Sequence, residues 1–113
     1  MTTTRTAPRC TVCGRHEARP TIYGCRPFVI RQVDGDPFTA PDAWLTCAKC
    51  TTHVEAHNLD ALTERMTCGL AHARQSRTGR PPEVQVIERA ARQVCAAFLA
   101  MREEHPTEQE RTP

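Results

Sequence analysis

Four cysteines of this 113-residue sequence stand in two Cys-x-x-Cys pairs, Cys10/Cys13 and Cys47/Cys50. A spacer of two residues lets a tight turn present both sulfurs to one ion. Backbone amides in the turn then donate to the thiolates and relieve their charge. Structural zinc takes four ligands in a tetrahedron, and thiolates suit it. The two pairs therefore point to one structural Zn2+ held by Cys10, Cys13, Cys47 and Cys50. Gly14, directly after the first pair, fits a turn that needs a permissive backbone. Three other readings stay open: small apolar core residues, a dithiol redox centre, and an iron–sulfur centre, which also uses four thiolates. The redox reading wants its pair at a helix start within a βαβ unit, and the sequence supplies no such context.

The remaining cysteines and histidines raise a second metal question. His53 and His57 are four apart, as are Cys68 and His72, so on continuous helix each pair shares a face. Together they could build a second site, although Asn58 and Gly69 weaken the assumption of continuous helix. Cys25 could substitute for one ligand of the first site, and Cys95 lies beside an apolar stripe and reads as core.

Seven cysteines is an odd number, which a closed disulfide framework does not explain. Met1 to Arg9 is polar and basic, without the apolar stretch of a signal peptide. No apolar run approaches the ~20 residues of a membrane span. The expectation is a cytoplasmic protein with reduced thiols.

Net charge is only +2, but it is unevenly spread. Residues 1–31 carry six Arg against one Glu; residues 34–64 carry six acids against Lys49; residues 65–82 carry four Arg and no acid. Arg74, Arg77 and Arg80 could grip phosphates. Aromatic residues for stacking on single strands are few, and no helix carries a dense basic face for the major groove.

The elements that must position these residues follow from patterning. Residues 1–8 read as a flexible tail and 9–104 as a single zinc-binding domain, with knuckles and a hairpin over 9–50 and a helical hairpin over 51–104. Phe28 to Val33 is rich in β-formers, Asp34-Gly35 is a hairpin turn signal, and Phe38 begins a return strand. Pro37 and Pro41 keep that strand short or at an edge. Val54, Leu59, Leu62, Met66, Leu70 and Ala73 recur at helical spacing and predict helix over about 51–74, interrupted near Asn58 and near Gly69. A second helix over about 81–104 carries Val84, Ile87, Ala91, Val94, Phe98 and Met101 at alternating steps of three and four. That stripe either packs on the preceding helix or also serves as a partner or homodimer surface. Residues 105–113 read as a disordered tail.

The order of a Cys10-Thr-Val-Cys13-Gly14 knuckle, a β-hairpin and a second Cys-x-x-Cys at a helix start resembles a treble-clef zinc finger, from Cys10 to about Met66. Within that group Cys10-Thr-Val-Cys13-Gly14 and Cys47-Ala-Lys-Cys50 are similar to the zinc-binding domain of the ClpX unfoldase family, whose finger is a small dimer that recruits adaptors and substrates. The spacer here, 33 residues between Cys13 and Cys47, is longer than in that domain. The resemblance implies the four metal ligands and an α+β fold, with a treble-clef-like finger followed by an antiparallel pair of helices. HNH nucleases also place a ββα unit between two such pairs, but they need a His late in the first strand. His16 lies only three residues past the first knuckle, and the central His pair is missing, so that reading stands only as a nuclease remnant.

The expected function is a small zinc-stabilised adaptor or regulatory protein that binds another protein. The alternative is a nucleic-acid-binding transcriptional regulator. No catalytic constellation is evident, so no enzyme activity is expected, nor any membrane partner.

Overall fold

The structure, a computed structural model, describes residues 8–31, 37–81 and 83–103. Among these residues seven elements follow in order: β1 (Thr21–Gly24), β2 (Val29–Ile30), β3 (Phe38–Thr39), β4 (Ala43–Thr46), α1 (Ala48–Glu55), α2 (Leu59–Thr78) and α3 (Val84–Met101). Among the described residues the architecture is mixed α/β, with three helices and two small antiparallel sheets.

The strands nest. β2 pairs with β3, and β1 pairs with β4 in a register that sets Tyr23 opposite Trp44. Pro27 and Pro41 lie where the ladder is interrupted, because proline brings no N–H to it. Two backbone bonds span the gap, from Cys25 N to Asp42 O at 3.0 Å and from Ala40 N to Phe28 O at 3.0 Å. The predicted turn at Asp34-Gly35 and both predicted tails fall largely outside the described residues.

One face of this double hairpin is aromatic and holds the core. Trp44 stacks on Phe98 of α3 with centroids 4.1 Å apart and planes at 12°. Tyr23 meets Phe98 edge-on at 6.0 Å, and Phe28 and Phe38 pack on Trp44 at 6.3 and 6.2 Å. The Tyr23 hydroxyl donates to Glu55 at the end of α1, so its buried polar tip is satisfied. The end of α3 returns to β1: Arg26 N donates to Met101 O at 3.1 Å, and Glu103 N donates to Gly24 O at 2.9 Å.

The predicted helical segments are present with altered bounds. The break near Asn58 is real. His57 adopts φ of 53°, and the Asn58 side chain caps α2 by accepting from Ala61 N at 3.1 Å. The break expected near Gly69 does not occur, and α2 runs unbroken to Thr78. Gly79 ends it in the left-handed conformation, at φ of 72°. α3 begins at Val84 rather than near residue 81 and packs on α2. Its stripe is used within the chain: Ile87, Ala91, Val94 and Phe98 are buried, Met101 is half-buried and Val84 is exposed. A dimer built on the four buried residues would have to open this core. No helix among the described residues is long and apolar enough to cross a membrane.

Candidate metal centre

Cys10 and Cys13 lie on a tight knuckle closed by Cys10 N to Arg15 O at 2.7 Å and Gly14 N to Cys10 O at 2.9 Å. Gly14 takes φ of 79°, a conformation that a Cβ would penalise. The Cys13 amide donates to Cys10 Sγ at 3.5 Å. Thr11 ties the knuckle to β4 in both directions: its amide donates to Leu45 O at 2.6 Å, and its hydroxyl accepts from Leu45 N at 2.9 Å. That pairing sets the first cysteine pair beside the end of β4.

β4 runs directly into the second pair. Cys47 is the residue before α1, with φ of −73° and ψ of 172°, and Cys50 lies in the first turn. The helix start brings partly positive amide ends toward the sulfurs. Buried Thr46 and half-buried Thr51 pin the junction, with their hydroxyls 2.7 Å apart and the Thr46 hydroxyl 3.2 Å from Thr21 O.

The four Sγ atoms all lie within 4.8 Å of one another, and all four residues are buried. Cys13 Sγ is 3.8 Å from Cys47 Sγ, and none of the four is in a disulfide. The arrangement is therefore a group that could hold a metal ion. Its electrostatics are those of thiols competing for protons. Cys10 is held far down, to about 4, by its hydrogen bond with Cys50 and by backbone amides that include Cys13 and Val12. The same hydrogen bond and burial push the Cys50 thiol strongly up, and burial pushes Cys13 up.

α2 also reaches the group, through residues that sequence reasoning missed. The Arg65 guanidinium donates to Cys50 Sγ at 3.1 Å and approaches Cys13 Sγ at 3.6 Å and Cys47 Sγ at 3.7 Å. These contacts, the Cys50 bond first, raise the Arg65 pKa. A cation one turn after Leu62, on the same stripe as Gly69, was the available signal. Gly69 is the seat of the knuckle. A Cβ there would lie far inside contact distance of the Cys13 carbonyl oxygen and 2.8 Å from its carbonyl carbon. Both atoms are backbone, so Gly69→Ala is expected to destabilise the fold by about 1–3 kcal/mol through overpacking. This outweighs the ~1 kcal/mol that alanine gains over glycine in a helix interior. Thermal melts of the metal-loaded variant give the sign; a melting temperature at or above wild type would show that the helix does not seat on the knuckle.

The other predicted ligands are not brought together. Among the described residues the four cysteines are the one group of three or more ligand side chains. The turn at His57–Asn58 separates α1 from α2, so His53 and His57 do not share a helix face with Cys68 and His72. His57 Nε2 lies 3.4 Å from Arg102 Nη2 at that turn, while Cys68 and His72 are exposed on α2. Cys25 is half-buried with its thiol donating to Arg26 O, away from the group. Cys95 is core, as expected, with its thiol 3.8 Å from Met66 Sδ. Arg74, Arg77 and Arg80 are exposed at and just beyond the end of α2.

Thiol labelling should sort these environments. In metal-loaded protein at neutral pH, an alkylating reagent read by mass spectrometry is expected to modify exposed Cys68 first. Cys95 is expected to resist until denaturation, because burial pushes its thiol up to about 12. Early labelling of Cys95 would contradict the packing of α3 on α2. No protein-family model, curated protein or solved structure matches this chain.

Proposed function

We propose that the four-cysteine group is a structural zinc centre and that the chain is a non-catalytic module binding another protein. The observation that carries the zinc reading is the sulfur geometry. A tetrahedral ion with Zn–S bonds of about 2.3 Å sets its sulfurs about 3.8 Å apart, and Cys13 and Cys47 stand at that separation. An iron–sulfur cluster places several irons and sulfides between its cysteines, and four sulfurs within 4.8 Å suit a single ion better. Knuckle, nested hairpin and a second pair at a helix start support a treble-clef-like reading of residues 10–66. Four protein thiolates complete the coordination of zinc and leave no position for a reacting water.

The binding reading draws on the far end of the helical pair. Residues 72–81 are exposed without interruption, and Leu70 and Val84 are among the exposed large apolar side chains. Arg74, Arg77 and Arg80 occupy the same end with no acid between residues 65 and 82, which also supports the second reading, contact with nucleic-acid phosphates.

Elemental analysis of wild type beside Cys10→Ser and Cys47→Ser tests the metal: one zinc per chain is expected in wild type and loss in both variants. Retention in either overturns the ligand set, and iron in place of zinc overturns the metal. Fluorescence anisotropy with labelled duplex and single strands separates the two binding readings. The protein-binding reading expects no complex at low salt, whereas binding that weakens steeply with salt transfers the function to nucleic acid.

A further inference from the structure

α2 contributes no ligand to the four-cysteine group, yet its Arg65 spans three of the four sulfurs. Nε donates to Cys50 Sγ at 3.1 Å, and Nη2 approaches Cys13 Sγ at 3.6 Å and Cys47 Sγ at 3.7 Å. The fourth sulfur, Cys10 Sγ, accepts from the Cys13 amide at 3.5 Å. Zinc bound by four thiolates carries a formal double negative charge, and such electron-rich sulfurs attack electrophiles and invite protons that release the metal. A guanidinium is a planar fork of N–H donors with a delocalised, permanent charge, so one side chain can address several sulfurs together. Lysine offers a point charge and arranges its donors differently.

We propose that Arg65 is the built-in counter-charge of the metal centre, quenching the nucleophilicity of its thiolates and slowing loss of the metal. The proposal rests on the zinc reading above. It makes the centre a protected structural one, in contrast to a zinc-thiolate site exposed for reaction with alkylating or oxidising agents. Arg65 acts through the cysteines and touches no substrate; it is a positioning residue. Hydrogen bonds to the sulfurs lower the energy of their lone pairs, so both reactivity and spectra report on it.

The test uses the full chain loaded with zinc or cobalt(II), as wild type, Arg65→Met and Arg65→Lys. Zinc release during treatment with N-ethylmaleimide is followed with a chromogenic chelator, and the thiolate-to-cobalt charge-transfer band is recorded. Arg65→Met is expected to keep one metal per chain and wild-type helicity by circular dichroism. Its zinc release should be about tenfold faster, in line with losing hydrogen bonds to a charged group, and its cobalt band should move to longer wavelength. Arg65→Lys should fall between the two in both readouts. Wild-type release and an unshifted band in Arg65→Met would overturn the proposal, as would Arg65→Lys behaving like Arg65→Met. Should Arg65→Met not fold, Arg65→Gln keeps an N–H donor without the charge: faster release is expected, and the wild-type rate overturns the proposal. A wild type that binds no metal overturns the zinc reading as well, whereas unchanged variants of a zinc-loaded wild type overturn the role of Arg65 alone.

Discussion

Stripping the metal with a strong chelator is expected to move the fluorescence of Trp44 to the red and to abolish the cooperative melt of the hairpin region. Trp44 is the single tryptophan of the chain and is fully buried, so its emission reports directly on the core. The cysteines are what join the first knuckle, the end of β4 and the start of α1. Without an ion, four buried thiols must share protons and hydrogen bonds, and the knuckle retains mainly its Thr11–Leu45 pairing and its contact with Gly69. Structural zinc sites contribute on the order of 10 kcal/mol of binding free energy to folding, comparable to the whole stability of a small domain. Cys50→Ser should reproduce the chelator result, because Cys50 is fully buried and its sulfur receives the closest Arg65 contact. Acidification should act in the same direction, since protons compete with the metal for thiolates. Emission and melting that ignore both the chelator and Cys50→Ser would show that the fold stands without the metal.

Trp44→Ala is expected to cost about 3–5 kcal/mol, the range for deleting a large buried aromatic side chain, measured as a shift in denaturation midpoint with metal in excess. Trp44 joins the double hairpin to α3 by ring contacts: Phe28 and Phe38 pack on it from one side, and Phe98 stacks on it at 4.1 Å from the other. Removing it leaves a cavity between two layers whose rings cannot close on each other without moving β4, and β4 leads into Cys47. The loss should therefore also lower metal affinity. Trp44→Phe is expected to cost much less. Phenylalanine keeps a stacked ring, and it removes an indole N–H that has no hydrogen-bond partner among the described residues. If Trp44→Ala costs no more than Trp44→Phe, the stack on Phe98 does not hold α3 to the sheet.

Much of the four-cysteine group was legible in the chain, because Cys-x-x-Cys is a local device. The spacing of Cys10 from Cys13 and of Cys47 from Cys50 lets each pair of sulfurs point the same way, on a knuckle in the first case and at a helix start in the second. The α3 stripe was equally legible, since residues three and four apart must share a helix face, and Ile87, Ala91, Val94 and Phe98 are indeed buried together. The Asn58 interruption followed from a side chain that caps α2.

What the tertiary structure alone decided concerns residues whose partners are distant in sequence. Gly69 reads locally as a helix breaker, yet it is interior to α2 because the Cys13 backbone lies where its Cβ would be. Arg65 reads as one arginine of a basic block, yet its partners are sulfurs 15, 18 and 52 positions away. His53, His57, Cys68 and His72 have ligand chemistry and suggestive spacing, but a single positive φ at His57 separates their helices. Local spacing determines which side chains can share a turn or a helix face; only the packing of α2 on the first knuckle determines which of them meet a charge.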